Sequence, residues 1–288
     1  MIISRDDKFF ITIADSIVTE RNAYSIDNDA DRLGVGGNAA VYECVDRQGN
    51  TWAIKFLLNR SDKSKKRFSQ EVGILLKLNH PHIIKCVDYG EVAASVGKNE
   101  FTIPFLIMEK ADMNIVDYMR KVDGEIGYDV YAPQIRGLTD ALNHLHTVAI
   151  HRDIKPENIL VHGEVWLLSD LGLCTAVDED ERLDVTKAHE RIGPKYWLSP
   201  EATDLVYFGT QEIDATSDVY QLCAVFWFII THRYPLGVIE IDDYASYDGQ
   251  VCQELLKALK YNKSKRTQSG AALYKSICNA TINREVTQ

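Results

Sequence analysis

The 288-residue sequence is short of the residues that break or staple a chain, with only 7 prolines and 17 glycines. That scarcity excludes collagen-like repeats and proline-rich linkers. Its 6 cysteines, Cys44, Cys86, Cys174, Cys223, Cys252 and Cys278, stand singly with no Cys-x-x-Cys. Neither a zinc site nor a disulfide framework is indicated, and a reducing cytoplasm is the expected location. No membrane span is expected, because the most apolar stretch, Cys223 to Ile230, falls far short of the ~20 residues that cross a bilayer. The opening MIISRDDKFF breaks into charge after three apolar positions and offers no signal-peptide core. Basic residues are outnumbered, 32 Lys and Arg against 42 Asp and Glu, for a net charge of -10. That is the wrong sign for a partner built on a phosphate backbone, so nucleic acid is not expected.

What is present is an ordinary globular balance, 45% hydrophobic and 26% charged, in a chain long enough for a sizeable core. Residues 31–111 read as a small sheet, with strand-like VYECV, TWAIKFLL, HIIKCVDYG and FTIPFLIM and one helical stretch from Lys63 to Leu78. The basic run Lys63 to Arg67 reads as a solvated helix entrance. From residue 112 to 288 the period turns helical, with Ile135, Leu138, Leu142 and Leu145 at three- and four-residue steps. The expectation is an α+β chain with a β-rich first lobe and a helical second lobe, the crevice between them being the default place for a ligand. Residues 1–30 form an extension with no derived role.

Gly34, Gly36 and Gly37 cluster before VYECV, as a phosphate-covering flap or an ordinary hairpin turn would. Lys55 sits among apolar neighbours in WAIKF and must reach solvent or meet an anion. Glu71, on the following helix, is a candidate to hold it. The densest chemistry is HRDIKPENIL followed by LLSDLGL, which sets Asp153, Lys155, Asn158 and Asp170 within twenty residues. Carboxylate and amide oxygens suit magnesium, an ammonium suits a migrating phosphoryl group, and a spare carboxylate can accept a hydroxyl proton.

In this order the residues resemble the protein kinase family, from about Leu33 to Arg266. Gly34, Gly36 and Val41 match the glycine-rich loop, WAIK supplies Lys55, and HRDIKPEN and DLG match the catalytic and magnesium-binding loops. The resemblance implies a two-lobed kinase fold and an enzyme that uses ATP and Mg2+ to phosphorylate protein substrates. By the same resemblance Lys55 contacts the α- and β-phosphates and pairs with Glu71. Asp153 takes the substrate proton, Lys155 neutralises the transferring group, and Asn158 and Asp170 hold magnesium. Val41, Ala53 and Leu160 become adenine walls, Met108 guards the back pocket, and Glu109 and Ala111 form the hinge. Glu201 pairs with Arg266, and Asp218 braces the catalytic loop or caps its helix.

Departures from the pattern are Ala39 for the third loop glycine and Leu171 for the usual phenylalanine after Asp170. Lys155 is the Ser/Thr form, whereas Pro194 and Trp197 resemble the tyrosine kinase version. Ser/Thr specificity is adopted, and dual specificity stays open. Its rivals from different functional classes are a pseudokinase scaffold and a small-molecule phosphotransferase. Within the activation segment, 170–201, two readings stand side by side: Thr186 is autophosphorylated and docks on Arg152, or the acidic run Asp178 to Glu181 or Asp184 already supplies the charge.

Overall fold

The computed structural model describes residues 1–6, 9–27, 32–122, 124–177, 196–208, 213–237, 239–240, 243, 247 and 249–287. The chain divides into two compact units, Met1–Lys77 with Ile84–Ala111, and Leu78–Ile83 with Asp112–Gln288. Strands dominate the first and helices the second, the α+β class the sequence pattern predicts.

The first unit contains β1 (Ile2–Asp6), β2 (Phe9–Ile13), β3 (Ser16–Val18), β4 (Ala23–Ser25), β5 (Arg32–Val35), β6 (Ala39–Asp46), β7 (Thr51–Leu57), α1 (Asp62–Lys77), β8 (Cys86–Val96) and β9 (Asn99–Glu109). They form one nine-stranded sheet in the order β1-β2-β8-β9-β7-β6-β4-β3, with β5 also on β6. Neighbours pair antiparallel, so side chains alternate between two faces. One face carries Ala40, Tyr42, Cys44, Ile54, Phe56, Ile103, Phe105 and Ile107. It is covered by Ile3, Ile11, Ile13, Ile17, Tyr24 and Ile26 from the start of the chain. The sheet is curled, since the Ser4 backbone N–H on β1 donates to the Tyr42 hydroxyl on β6 at 3.0 Å. The described residues of that extension, with strands β1 to β4, thus lie inside the sheet and its core.

The other face is fixed by register. Val41 stands opposite Lys55, Lys55 opposite Leu106, and Ala53 opposite Met108, so all of them point the same way. At Gly90, paired with Phe105, an added Cβ would come within 3.0 Å of the Phe105 ring, so the cross-strand aromatic fills the place of a side chain. On α1, Phe68, Glu71, Val72, Ile74 and Leu75 are buried at helical spacing. The basic run Lys63–Arg67 lies inside the first turns of α1, not ahead of it, because the helix already starts at Asp62.

In the second unit, β10 (Met113–Asn114) and α2 (Ile115–Lys121) precede α3 (Tyr128–Leu145), β11 (Ala149–Ile150), β12 (Ile159–His162), β13 (Val165–Leu168) and β14 (Thr175–Ala176). Then come α4 (Pro200–Phe208), α5 (Ala215–Thr231), α6 (Gly249–Ala258) and α7 (Gly270–Thr287). Helix α5 is almost wholly buried, with apolar residues on every side from Leu222 to Ile230 after a polar start, which makes it the centre of this unit. Its N-cap is Asp214, whose side chain accepts from the Thr216 N–H at 2.9 Å, so Asp218 does not serve as the cap. Residues 78–83 join this unit through His82. Its carbonyl accepts from the Leu168 N–H at 2.8 Å, and its Nδ1 lies 2.8 Å from the Trp166 carbonyl. Gly137 makes room, since a Cβ there would stand 2.1 Å from the His82 ring. No helix among the described residues is long and apolar enough to cross a membrane.

Candidate active site

In the first unit, Lys55 from β7 meets Glu71 from α1. Its Nζ lies 2.6 and 2.9 Å from the two carboxylate oxygens. Their side chains are 13% and 4% exposed, so each charge compensates the other where neither has much water. Lys55 shares its face with Val41, Ala53 and Met108 by register, while Glu109 ends β9 and Ala111 follows it. The hairpin between β5 and β6 closes with the Gly36 N–H donating to the Ala39 carbonyl at 2.9 Å. Gly34 and Gly36 both have negative φ, and a Cβ at either would meet nothing within 4 Å. The fold alone therefore does not demand these glycines.

In the second unit the loop after β11 is built around Asp218. Its Oδ2 accepts from the His151 N–H at 2.6 Å and its Oδ1 from the Arg152 N–H at 2.7 Å. That grip accompanies a left-handed backbone at Arg152, φ 72°, a conformation uncommon for a residue with a side chain. His151 is fully buried, with Nε2 3.2 Å from the Ser169 carbonyl and Nδ1 accepting from the Asp153 N–H at 3.3 Å. Gln221 accepts from the Ile154 N–H at 3.2 Å. These contacts fix the backbone on either side of Asp153 before its side chain is considered.

The Asp153 carboxylate is buried, and its Oδ2 receives the Lys155 ammonium at 3.2 Å and the Asn158 amide N–H at 3.1 Å. Asn158 Nδ2 also donates to the Asp153 carbonyl at 2.8 Å, which directs the amide oxygen away from Asp153. Burial pushes the Asp153 carboxyl above its ordinary value, against the lowering effect of Lys155 and His151 and with a further push from Asp170. Ser169 ties the segments together, its N–H and hydroxyl both donating to the Asn158 carbonyl at 2.9 Å. Asp170 follows, exposed and again left-handed, φ 58°. Leu160 lies half-buried in β12.

Asn158 and Asp170 are hard oxygen donors of the kind magnesium takes, and two protein ligands leave coordination positions for substrate phosphates. Among the described residues no group of three or more His, Cys, Asp or Glu could hold a metal by itself. As two such donors, Asn158 and Asp170 would suit magnesium together with oxygen ligands from outside the protein.

Arg152 points its guanidinium at the Thr175 hydroxyl on β14. Thr186, the four residues Asp178 to Glu181, Asp184 and Pro194 lie outside the described residues. Trp197 is buried, edge-on to Phe228 at 5.4 Å. Glu201 and Arg266, 65 residues apart, form a fully buried pair at 2.7 Å, and Ser217 donates to the same oxygen at 2.6 Å. Burial alone would push the Glu201 carboxyl up, but the hydrogen bonds from Arg266 and Ser217 hold it below the ordinary value. Sequence reasoning missed His151, Ser169 and Gln221 as loop supports, although His151 stands beside Arg152 and Asp153 in the motif. It also missed Thr175 as the partner of Arg152.

Comparison with known proteins reveals a match to the protein kinase domain over residues 28–288. Similar proteins include a probable serine/threonine-protein kinase PknB of Bifidobacterium longum, 30% identical over 211 residues, 70% of this chain and 30% of that protein. Serine/threonine-protein kinase PknB of Mycobacterium leprae is 31% identical over 71% of this chain and 32% of its own length. The Mycolicibacterium smegmatis protein of the same name is 32% identical over 70% of this chain and 32% of its own length. The chain spans about a third of the curated relatives it matches.

Proposed function

We infer that this chain, which belongs to the protein kinase domain family, transfers the γ-phosphate of ATP to serine and threonine hydroxyls of protein substrates. The observation that carries the reading is the buried Asp153 carboxylate with an ammonium and an amide on one oxygen. The other oxygen is the candidate to accept the proton of an incoming hydroxyl. Burial makes it a better base than an exposed carboxylate, because its proton affinity is raised toward working pH. Lys155, held beside it at 3.2 Å, is the candidate cation for the transferring phosphoryl group, whose charge grows as the bond to ADP lengthens. Lys55, oriented by Glu71, is the residue for the non-transferred phosphates. Val41, Ala53, Met108 and Leu160 are the apolar candidates for adenine, with the Glu109 and Ala111 backbone at the hinge.

Asn158 and Asp170 would hold magnesium. When bound, the metal neutralises phosphate charge and fixes the orientation of the transferred group. Gly34 and Gly36 fit a backbone that must come close to phosphate, since among the described residues a Cβ at either would meet nothing within 4 Å. A phosphate on Thr186 would compete with the Thr175 hydroxyl for Arg152, which makes Thr175 the resting partner of that guanidinium. The 6 free cysteines support a reducing compartment such as the cytoplasm.

The test is transfer of labelled γ-phosphate with magnesium to the chain itself and to a basic protein acceptor, followed by phosphoamino-acid analysis. Phosphoserine or phosphothreonine is expected. Phosphotyrosine alone, or transfer only to sugar or aminoglycoside acceptors, overturns the assignment.

A further inference from the structure

Residues 1–27 precede the segment that matches the kinase domain, yet they carry polar contacts aimed at the strand beside Met108. The ladder between β8 and β9 pairs Cys86 with Met108 and Asp88 with Ile107, so Val87 is an extra residue, a β-bulge opposite the step from Ile107 to Met108. A bulge bends its strand, interrupts the ladder and re-aims the side chains around it. Its polar groups need partners from elsewhere.

The β3–β4 hairpin supplies them. Thr19 Oγ1 donates to Asp88 Oδ2 at 2.6 Å, and the Tyr24 hydroxyl donates to the same oxygen at 3.2 Å. The Tyr89 N–H takes Asp88 Oδ1 at 2.8 Å. Arg21 Nη1 donates to the carbonyl of the bulged Val87 at 3.3 Å, with its guanidinium 5.9 Å from the centre of the Tyr89 ring. Thr19 is itself held at the hairpin tip, its Oγ1 accepting the N–H groups of Arg21 at 3.1 Å and Asn22 at 3.0 Å. Burial and the adjacent Asp88 carboxylate push the Tyr24 phenol up, so it remains a donor.

Packing alone does not call for this arrangement. Ile17, Tyr24 and Ile26 already seat the hairpin on the apolar core. A carboxylate that is only 3% exposed opposes folding unless donors surround it, and here the donors converge on the bulge.

We propose that the β3–β4 hairpin is a strap that fixes the bulge at Val87 and, through the β8–β9 register, the backbone at Met108. Thr19, Arg21 and Asp88 are then positioning residues for nucleotide binding. The proposal rests on the reading of Met108 and its neighbours as adenine contacts. It extends the nucleotide site to a segment that lies outside the matched family domain.

The test uses the whole chain with Thr19→Val and Arg21→Ala combined, which removes two donors at the tip and leaves Ile17, Tyr24 and Ile26 in place. The readouts are the Kd of a fluorescent ATP analogue by titration and the thermal midpoint. The Kd is expected to weaken about five- to tenfold, the scale of one misaligned hydrogen-bonded contact. Asp88→Asn, which keeps the shape but cannot match both oxygens to their donors, is expected to weaken it in the same direction. A Kd within about twofold of the parent in the combined variant, with only the midpoint lowered, overturns the proposal in favour of a purely structural hairpin. The combined variant decides the matter if Asp88→Asn fails to fold. A parent chain that binds the analogue but transfers no phosphate overturns the kinase reading alone. A parent chain that binds no analogue overturns both.

Discussion

Replacing Asp153 with Asn should give a protein that is nearly inactive and no less stable. The two outcomes come from the same contacts. Asn keeps the shape of the side chain and can still accept the Asn158 amide N–H, now made at 3.1 Å. It cannot take a proton from a hydroxyl. Loss of a general base costs about 10²- to 10⁴-fold in turnover, which is about 3 to 5 kcal/mol of barrier. The stability side follows from linkage. The folded Asp153 carboxyl binds its proton more tightly than in the unfolded chain, mainly because of burial. Between the unfolded and folded values the native state therefore holds more protons, and stability falls as pH rises through that window. Above it, ionised Asp153 works against folding, and Asn removes that opposition. Part of the gain is offset, since Lys155 loses its carboxylate partner at 3.2 Å. The assay is steady-state phosphate transfer together with thermal unfolding of the whole chain at neutral pH. Turnover within about tenfold of the parent would refute Asp153 as the base. A midpoint several degrees lower would refute the claim that its charge opposes folding.

Three further outcomes follow from the same structure. The acid limb of the pH–rate profile should lie above the ordinary carboxylate range, because Asp153 is raised, and Lys155→Met should move that limb higher still; a limb unmoved by Lys155→Met would contradict the coupling. Arg266→Ala should destabilise the chain by about 3–5 kcal/mol in denaturant titration, since it strands a buried Glu201 carboxylate. The contribution of Glu201 is present above its unfolded value and is lost as pH falls through the lowered folded value, so the parent and Arg266→Ala curves should converge in acid. Gly137→Ala should cost about 1–3 kcal/mol by the same titration, because its Cβ would stand 2.1 Å from the His82 ring.

Much of this molecule is legible in its sequence where chemistry is local. Lys55 in an apolar strand must reach solvent or meet an anion, Glu71 on the following helix is a candidate to hold it, and the resemblance to the kinase motifs selects the pair, which is found at 2.6 Å. The helix itself runs Asp62–Lys77 against an expected 63–78, since its apolar residues keep helical spacing throughout. The grouping of Asp153, Lys155, Asn158 and Asp170 is equally local, because two short strands and a tight turn return the chain on itself within twenty residues. What remained illegible is long-range. That Gln221 takes the Ile154 N–H depends on a contact 67 residues away, and a glutamine in an apolar helix carries no mark of its partner.

The first 26 residues are the clearest case. Their strands are three to five residues long, below the length at which alternation stands out from chance. Their apolar members, Ile3, Ile11, Ile13, Ile17 and Ile26, make sense only against Phe56, Ile103 and Phe105, which come much later in the chain. Nor does Asp88 announce its role, since an aspartate in a strand carries no mark of the donors that would let it be buried. Its place on the inner face follows from the alternation it shares with Val92 and Ala94, while the donors that let a carboxylate sit there come from Thr19 and Tyr24, 69 and 64 residues away. Alternation places Asp88 on the inner face but supplies none of those donors, nor does it mark the step at Val87 where the register shifts and Cys86 comes opposite Met108.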